Sequence, residues 1–313
     1  MQKKTLSWIT GIIGLCLFVL AIGVLFRELR TFNFRDVWVH FSNLPAHRVA
    51  AALLFMTGNY LALTFYDVLA LRYVGQPLAY FKTAMTSFIG YAFSHNIGFT
   101  FLTSGSVRYR FYSGWGVSAL DIAKIVAFCG ITFWLGFFTL GGIALGLGRP
   151  VLPAAFVLSA TAVRWLGALL AVLVVAYVAL SFEHGKVLKI RKASFQLPSP
   201  RIALGQIAAS CADWLTAAAI LYALLPPQAG FTYFAFLGIF LLGQVAGFAS
   251  QVPGGLGVFE SVILLLLEPY YPPSVVMGML LAYRGIYYIL PLVSAVIWLG
   301  IYELFRRRLP ERG

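Results

Sequence analysis

An uninterrupted apolar run near the start of the chain is the feature that most restricts its fold. Residues 6–26, LSWITGIIGLCLFVLAIGVLF, contain no charged side chain and are long enough to cross the hydrocarbon core of a bilayer. The run is longer than the apolar region of a signal peptide, and no small-residue cleavage site follows it. The sequence therefore predicts a retained transmembrane helix.

The composition extends this interpretation to the whole chain. Of its 313 residues, 61% are hydrophobic and 11% are charged, whereas soluble domains have about 45–50% apolar and about 25% charged residues. The three cysteines lie in apolar segments and show neither metal-ligand spacing nor a disulfide framework. We therefore predict an all-α polytopic membrane protein, with a single integral membrane domain over residues 1–313 and no soluble domain.

The positive net charge has a membrane explanation. The chain carries a formal charge of +13, and its lysines and arginines cluster beside apolar segments, at 1–4, 184–192 and 305–312. Basic residues are enriched on the cytoplasmic side of membrane proteins. We therefore expect both termini and the loop 183–201 to be cytoplasmic, and we expect no nucleic-acid partner.

The positions of the apolar segments and of the basic loop together predict a topology. The long segments lie at roughly 6–27, 48–72, 82–103, 118–147, 151–182, 201–225, 231–251 and 275–304, with a short run at 256–269. If all of the long segments crossed fully, the loop 183–201 would lie outside, against its charge. The conflict disappears if 82–113 and 231–269 are re-entrant hairpins that turn at TSGS (103–106) and VPGG (252–255). The prediction is about six full spans plus two re-entrant hairpins, with about eight full spans as the alternative.

An inverted repeat is one interpretation of this arrangement. The order span, hairpin, span occurs in residues 48–147 and again, with the opposite orientation, in residues 201–304. The two turns are also similar, GFTFLTSGSV (98–107) beside GFASQVPGGL (247–256). Inverted repeats with broken helices near the midplane are typical of secondary transporters. Chance is the alternative, because the similarity is loose and short.

The second turn is the first candidate site. Irregular backbone at membrane depth is tolerated only where it is buried in protein or lines a water-filled cavity. The segment Pro253, Gly254, Gly255 precedes a helix that begins near Leu256 and includes Gly257. The N-terminus of a helix favours anions, such as the phosphate of a lipid headgroup. The alternative is a tight packing turn, in which Glu260 only complements the helix dipole.

Ionisable residues inside the apolar segments form the second group of candidates. They are Asp67, Arg164, Asp213, Glu260 and Arg284. Each costs about 2.5–3.5 kcal/mol at the centre of a membrane helix, so each needs a partner or a wet cavity. Arg284, which follows Tyr283, could bind an anionic substrate or form a structural pair with Glu260 or Asp67. Arg164 lies nearer the end of its segment and could reach the interface.

Arginines and aromatic residues alternate just after the first predicted turn. Arg108 and Arg110 lie in SGSVRYRFYSGWG (104–116). The two guanidinium groups could bind lipid phosphate, since their planar donors match phosphate oxygens. Anchoring at the cytoplasmic headgroup layer is an equal alternative. Asp121 and Lys124 have the spacing of an interfacial ion pair on a helix.

Motifs of known chemistry do not occur in the sequence. It contains no Walker A motif, HExxH, GxSxG or His/Cys cluster, and its four histidines are scattered. We therefore expect no enzymatic activity, no cofactor and no metal site.

Four segments carry a resemblance to a known family. They are FYDVLALRY (65–73), VRYRFY (107–112), PGGLGVFE (253–260) and LLAYRGIYYILPL (280–292). Together they resemble the lysylphosphatidylglycerol synthetase/flippase transmembrane family, over nearly the whole chain. The resemblance implies a bacterial inner-membrane protein that moves a phospholipid between leaflets, with functional positions at Asp67, Glu260 and Arg284. Since the sequence ends at Gly313 without a soluble aminoacyl-transferase domain, we do not expect the synthetase activity of the family.

These observations lead to two hypotheses. The first is a phospholipid flippase or transporter, whose cargo is an aminoacylated phospholipid or another lipid with an anionic phosphate. The phosphate would contact Arg284 and the N–H groups at Gly254 and Gly255, while Asp67, Asp213 and Glu260 would meet a cationic headgroup or carry a coupling proton. The second is a non-transporting membrane partner that presents a lipid to a separate lipid-modifying enzyme. A homo-oligomer is compatible with either.

Overall fold

The fold consists almost entirely of helices. The computed structural model describes residues 43–98, 100–147, 160–190, 193–249 and 253–308, so the predicted first span at 6–27 lies outside the described residues. The α-helices are α1 (Ala46–Tyr73), α2 (Tyr80–Ile97), α3 (Thr100–Tyr112), α4 (Ala119–Leu147), α5 (Ala160–Ser181), α6 (Pro200–Leu224), α7 (Tyr233–Ala249), α8 (Val258–Leu267), α9 (Pro273–Tyr283) and α10 (Leu290–Arg308). Two antiparallel strands, β1 (Val187–Ile190) and β2 (Ala193–Gln196), precede α6.

Five helical segments of the described chain are long and apolar enough to cross a membrane. They are Ala46–Tyr73, Ala119–Gly146, Thr161–Ser181, Pro200–Leu224 and the continuous segment Pro273–Leu304, which contains α9 and most of α10. Each corresponds to one of the predicted spans. The prediction of an all-α polytopic membrane protein is therefore confirmed.

The first predicted hairpin is formed by α2 and α3, but its turn was predicted at the wrong place. The turn lies at Gly98, whose φ of 79° ends α2 in a conformation that favours glycine. The segment TSGS (103–106) lies inside α3, because serine and glycine are tolerated in membrane helices. The Lys82 Nζ atom lies 5.1 Å from the ring centre of Trp115. The hairpin therefore begins and ends at the same end of the helix bundle.

The second hairpin is formed by α7 and α8, and its turn lies where the sequence predicts it. A short 3-10 turn, Pro253–Gly255, connects the two helices, and Gly254 has a φ of 63°. Helix α8 has 10 residues, which span about 15 Å, roughly half of a bilayer core. The hydroxyl of Tyr271 donates a hydrogen bond of 2.8 Å to the carbonyl oxygen of Pro226. The segments before α7 and after α8 therefore also lie side by side.

The two hairpins open towards opposite ends of the bundle. The hydroxyl of Tyr73, at the end of α1, donates to the carbonyl oxygen of Gln196 at 2.7 Å, so the β-hairpin lies beside the base of the first hairpin. Tyr271, at the base of the second hairpin, lies near the start of α1. Burial raises the pKa of its hydroxyl, and the nearby positive charge of Arg48 opposes this shift. The bases of the two hairpins therefore lie beside opposite ends of α1.

Close contacts between backbones hold the spans together. A Cβ atom added at Gly136 in α4 would lie 2.6 Å from the carbonyl carbon of Ser210 in α6. One added at Gly167 in α5 would lie 2.7 Å from the backbone nitrogen of Gly146. Small residues allow membrane helices to approach closely, which compensates for the weak hydrophobic driving force in lipid.

The predicted repeat halves, 48–147 and 201–304, contain the same order of elements. Their first spans, α1 and α6, pack against each other at the centre of the fold. Asn59 and Asp213, which lie equally far from the start of these two helices, meet where the helices cross. The inverted orientation of the halves stays a prediction.

Candidate functional site

Arg284 and Glu260 form an ion pair at the tip of the second hairpin. Nε of Arg284 donates to Oε1 of Glu260 at 2.7 Å, and Nη2 lies 2.5 Å from the same oxygen. Nη1 of Arg284 donates to the carbonyl oxygen of Gly254 at 2.9 Å. The other carboxylate oxygen of Glu260 accepts the N–H of Gly257 at 2.8 Å. The pair therefore closes the beginning of α8, where the sequence predicts free N–H groups.

The tips of the two hairpins meet at this ion pair. A Cβ atom added at Gly254 would lie 3.4 Å from the carbonyl oxygen of His95, near the end of α2, and 3.4 Å from Nη1 of Arg284. The side-chain amide of Asn96 donates to the carbonyl oxygen of Tyr288 at 3.2 Å. Glycine is favoured at position 254 by its positive φ, whereas a Cβ atom there would lie at about ordinary contact distance from these neighbours.

Arg284 begins a π-helical segment, Arg284–Ile289, between α9 and α10. Single π-turns inside α-helices are often associated with functional sites. The guanidinium carbon of Arg284 lies 4.4 Å from the ring centre of Tyr288, and the residue is 3% exposed. Tyr283, just before it, is buried and stacks on Tyr287 with a centroid distance of 5.4 Å. The segment thus places a cation and several tyrosines at the point where the hairpins meet.

A second buried ion pair fixes the first hairpin to α1. Nε and Nη2 of Arg108 donate to the two carboxylate oxygens of Asp67 at 2.8 and 2.7 Å. The hydroxyl of Tyr112 donates to Oδ1 of Asp67 at 2.8 Å. The guanidinium group also lies over the ring of Tyr91, 5.0 Å from its centre. Asp67 is therefore already neutralised within the protein.

The structure corrects both interpretations of Arg108 and Arg110. Each placed the two side chains at the headgroup layer, but Arg108 is 1% exposed and Arg110 is 2% exposed. Nη2 of Arg110 forms an ion pair of 2.5 Å with Glu303 in α10. Burial is tolerated because each guanidinium meets a carboxylate. Asp121 and Lys124 do form the predicted ion pair, with 2.9 Å between Nζ and Oδ1.

Asp213 lies in a different environment, which we call the Asp213 cluster: Asp213, Asn59, Tyr66 and Tyr287. The side-chain amide of Asn59 donates to Oδ1 of Asp213 at 2.8 Å, and the hydroxyl of Tyr66 donates to Oδ2 at 2.7 Å. The hydroxyl of Tyr287 donates to the Asn59 side-chain oxygen at 3.0 Å. The cluster joins α1, α6 and the π-helical segment at the centre of the fold.

Aromatic rings surround His95 between the Asp213 cluster and the Arg284–Glu260 pair. The imidazole lies 5.4 Å from the ring of Tyr287 and 6.2 Å from those of Tyr60 and Tyr288, measured between centroids. Nδ1 of His95 and the hydroxyl of Tyr60 are buried and make no hydrogen bond to any described residue. Buried polar atoms without a protein partner are the groups that water or a polar ligand satisfies.

The structure thus places the predicted site residues in four separate surroundings. Pro253, Gly254, Gly255, Gly257, Glu260, Tyr283 and Arg284 lie together at the tip of the second hairpin. Asp67 and Arg108 form a pair elsewhere, and Asp213 belongs to the central cluster. Arg110 lies apart, against α10.

Sequence reasoning missed the polar residues that complete these groups. They are Asn59, Tyr66, Tyr112, Tyr287 and Glu303. Asn59 had a usable signal, because an amide inside an apolar span needs a hydrogen-bond partner. The tyrosines had none, because tyrosine is common in the aromatic belts of membrane proteins.

The fold and the site define a class of protein. It is a polytopic helical membrane protein with two helical hairpins and buried arginine–carboxylate pairs. Residues 11–295 match the family described as the lysylphosphatidylglycerol synthase TM region, so the chain belongs to this family. The chain is 42% identical over 304 residues to the uncharacterized protein slr0712 of Synechocystis, covering 96% of this chain and 93% of that protein. It is 30% identical to the inner membrane protein YbhN of Escherichia coli, covering 100% of this chain and 96% of YbhN.

A longer relative shares the same region. The chain is 28% identical over 301 residues to a phosphatidylglycerol lysyltransferase of Staphylococcus aureus. The match covers 95% of this chain but 34% of that protein. The shared part is therefore the membrane region of a longer polypeptide.

Proposed function

We propose that the protein moves the headgroup of a phospholipid between the leaflets of the bacterial inner membrane and does not chemically change the lipid. The observation that carries this proposal is the position of Arg284. It lies buried where the tips of the two hairpins meet, held by a carboxylate and a backbone carbonyl. A cation at such depth is costly unless it has a function or a partner, and Arg284 has a partner that an anion could replace.

The proposed mechanism is an exchange of partners at Arg284. A lipid phosphate, like a carboxylate, presents two oxygens that can accept hydrogen bonds from the planar guanidinium group at the same time. When a phosphate binds, Glu260 and the carbonyl of Gly254 release Arg284, and the tip of the second hairpin separates from α2. The acyl tails stay in lipid while the headgroup passes between the hairpin tips. Movement of the hairpins then exposes the site to the opposite leaflet.

The proposed cargo is a phospholipid of the phosphatidylglycerol type, including its aminoacylated form. The name of the S. aureus relative, a phosphatidylglycerol lysyltransferase, supports this class of lipid. The inner-membrane location follows the name of YbhN, and the basic terminal segments favour cytoplasmic termini. Asp67 is bound by Arg108, so Asp213 is the carboxylate with capacity for a cationic headgroup or a proton.

The test is leaflet exchange of labelled phosphatidylglycerol in proteoliposomes that contain the purified full chain. We expect exchange with the wild type and its loss in Glu260→Gln, measured on folded protein of each. Because Arg284 would lose its carboxylate partner, we expect Glu260→Gln to unfold at a lower temperature than the wild type. Asp121→Asn is the matched control, because it removes a carboxylate from an ion pair at the start of α4. Exchange that persists at the wild-type rate in Glu260→Gln would overturn the proposed mechanism.

The second candidate function is presentation of a lipid to a separate lipid-modifying enzyme. The S. aureus relative favours it, because there the shared membrane region belongs to a longer lysyltransferase. If a folded wild type exchanges no tested phospholipid, we expect addition of such an enzyme to give a product that depends on this chain. A product that forms equally without the chain would exclude presentation.

A further inference from the structure

Asp213 differs from the other acidic residues predicted to form the site. Asp67 is neutralised by Arg108 and Glu260 by Arg284. Asp213 is 5% exposed, and its side chain accepts hydrogen bonds from Asn59 and Tyr66, which are both neutral. Within the described ranges, no lysine, arginine or histidine nitrogen lies within ion-pair distance of Asp213. Its two oxygens thus lie in a buried environment that contains donors but no counter-charge.

In the part of the chain that the structure describes, the elements packed around Asp213 bring no lysine, arginine or histidine into ion-pair distance of it. Its facing titratable groups are Tyr60 and Tyr66 of α1, Tyr91 of α2 and Tyr287 of the π-helical segment. Cys129 of α4 lies near Tyr66 and Tyr91, and the Asp67–Arg108 pair lies near Tyr91. Tyr177 of α5 and Tyr233 of α7 bond elsewhere, to Gln206 and to the carbonyl of Leu215. Burial among neutral groups favours the protonated form of a carboxyl group.

A second observation indicates that a proton can be exchanged here. Tyr60 directly follows Asn59 in the chain. Its hydroxyl group and Nδ1 of His95 are both buried without a hydrogen-bond partner among the described residues. Both rings pack against Tyr287, whose hydroxyl bonds to Asn59. A donor–acceptor hydroxyl and an acceptor-capable imidazole nitrogen therefore lie beside the cluster. Such groups can accommodate a water molecule that carries a proton to the carboxylate.

We propose that Asp213 is a proton-binding site and that its protonation is coupled to the Arg284–Glu260 pair. The coupling rests on the proposed transport function, whereas the proton site does not. On protonation an O–H bond forms at Oδ2, and the hydroxyl of Tyr66 turns from donor to acceptor. The hydroxyl hydrogen of Tyr66 rotates freely enough to allow this reversal. The proton comes from a hydronium ion, whose O–H bond breaks to leave a neutral water molecule.

The π-helical segment provides the connection between the two places. Asn59 bonds to Asp213 on one side and to the hydroxyl of Tyr287 on the other. Tyr287 and Arg284 belong to the same π-helical segment, within which a shift of register moves both. A change in the hydrogen bonds of Asp213 would therefore act on Tyr287 and, through this shared segment, on Arg284. The proton would bias the exchange of partners that releases Arg284.

The first experiment detects the proton without requiring transport. Infrared difference spectra of the purified full chain in phosphatidylglycerol vesicles are recorded during a pH titration around neutrality. We expect the carbonyl band of a protonated carboxylic acid to appear as the pH falls, in the wild type and in Asp121→Asn. We expect its loss in Asp213→Asn and a shifted midpoint in Tyr66→Phe. A folded wild type without a titrating band, or a band that remains in Asp213→Asn, would overturn the site.

The second experiment tests the coupling by leaflet exchange of labelled phosphatidylglycerol at several pH values, with and without Na⁺. We expect a wild-type rate that changes with pH by up to about tenfold per unit, the limit for one proton, and a pH-independent rate in Asp213→Asn. If the exchange rate depends on Na⁺ and not on pH, the coupling ion is a metal cation and the proposal of a coupling proton is overturned. A titrating band with exchange that does not depend on pH would overturn the coupling alone. A titrating band without any exchange would overturn the proposed function and leave the proton site standing.

Discussion

Arg108 and Asp67 share two parallel hydrogen bonds, of 2.8 and 2.7 Å, between α3 and α1. Both side chains are buried, and Tyr112 donates a further bond to the same carboxylate. Removal of one member leaves the other as an uncompensated buried charge, whereas removal of both does not. The pair therefore acts first as the link that keeps the first hairpin against α1.

We expect Asp67→Asn to destabilise the protein by about 3–5 kcal/mol, because Arg108 would stay charged and buried. The measurement is thermal unfolding of the purified protein in detergent. Asp121→Asn is the control for the loss of a carboxylate from a more exposed ion pair, with an expected cost of about 0–1 kcal/mol. The double variant Asp67→Asn/Arg108→Gln should recover part of the loss. If Asp67→Asn and Asp121→Asn were equally stable, the structural role of the Asp67–Arg108 pair would be contradicted.

The contact between α4 and α6 gives a second prediction. A Cβ atom at position 136 would lie 2.6 Å from backbone and side-chain atoms of Ser210, so the two helices must separate. We expect Gly136→Ala to cost about 1–3 kcal/mol, the usual effect of overpacking. Gly238→Ala is the matched control, because a Cβ atom at that helical position meets no atom within 4 Å. If Gly238→Ala unfolds at a lower temperature than Gly136→Ala, the contact between α4 and α6 at Gly136 is not tight.

Some of these features could be predicted from the sequence because they depend on local composition. The spans can be predicted from the length of the apolar segments. The turn at Gly254 can be predicted because proline and glycine there interrupt the helix, and irregular backbone at membrane depth must be buried in protein or line a cavity. The turn at Gly98 was missed because a lone glycine has a weaker signal than TSGS, which α3 accommodates. The partners of Arg108 and Arg110 were missed because Asp67 and Glu303 lie far away in the chain. Pairing across elements depends on the three-dimensional packing, which periodicity does not specify.

The sidedness of the two hairpins gives a third prediction. The bases of the hairpins lie at opposite ends of the bundle. In a variant whose native cysteines are replaced by serine, we expect Gly114→Cys and His184→Cys to react with an impermeant thiol reagent from one side of the membrane. We expect Gln228→Cys to react from the other side. Reaction of positions 114 and 228 from the same side would exclude two hairpins that open in opposite directions.

The geometry at Arg284 gives a fourth prediction, which separates charge from shape. A lysine at position 284 keeps the charge but cannot bond at once to Glu260 and to the carbonyl of Gly254 while it lies over Tyr288. A hydrogen bond to a charged group contributes about 1.5–3 kcal/mol, so we expect Arg284→Lys to lower the rate of phosphatidylglycerol exchange by roughly ten- to a hundredfold.

The control for this prediction is Arg110→Lys, at the other buried arginine that is paired with a glutamate. Nη2 of Arg110 bonds to Glu303 outside the meeting point of the hairpins, and a lysine there can keep the ion pair. We therefore expect exchange to stay near the wild-type rate in Arg110→Lys, while both variants unfold at similar temperatures. If both variants lost exchange equally, the rate would depend on the fixed position of α10 and not on the recognition of phosphate by Arg284. If neither lost it, a positive charge alone would suffice at position 284, and bidentate binding of the headgroup would be excluded.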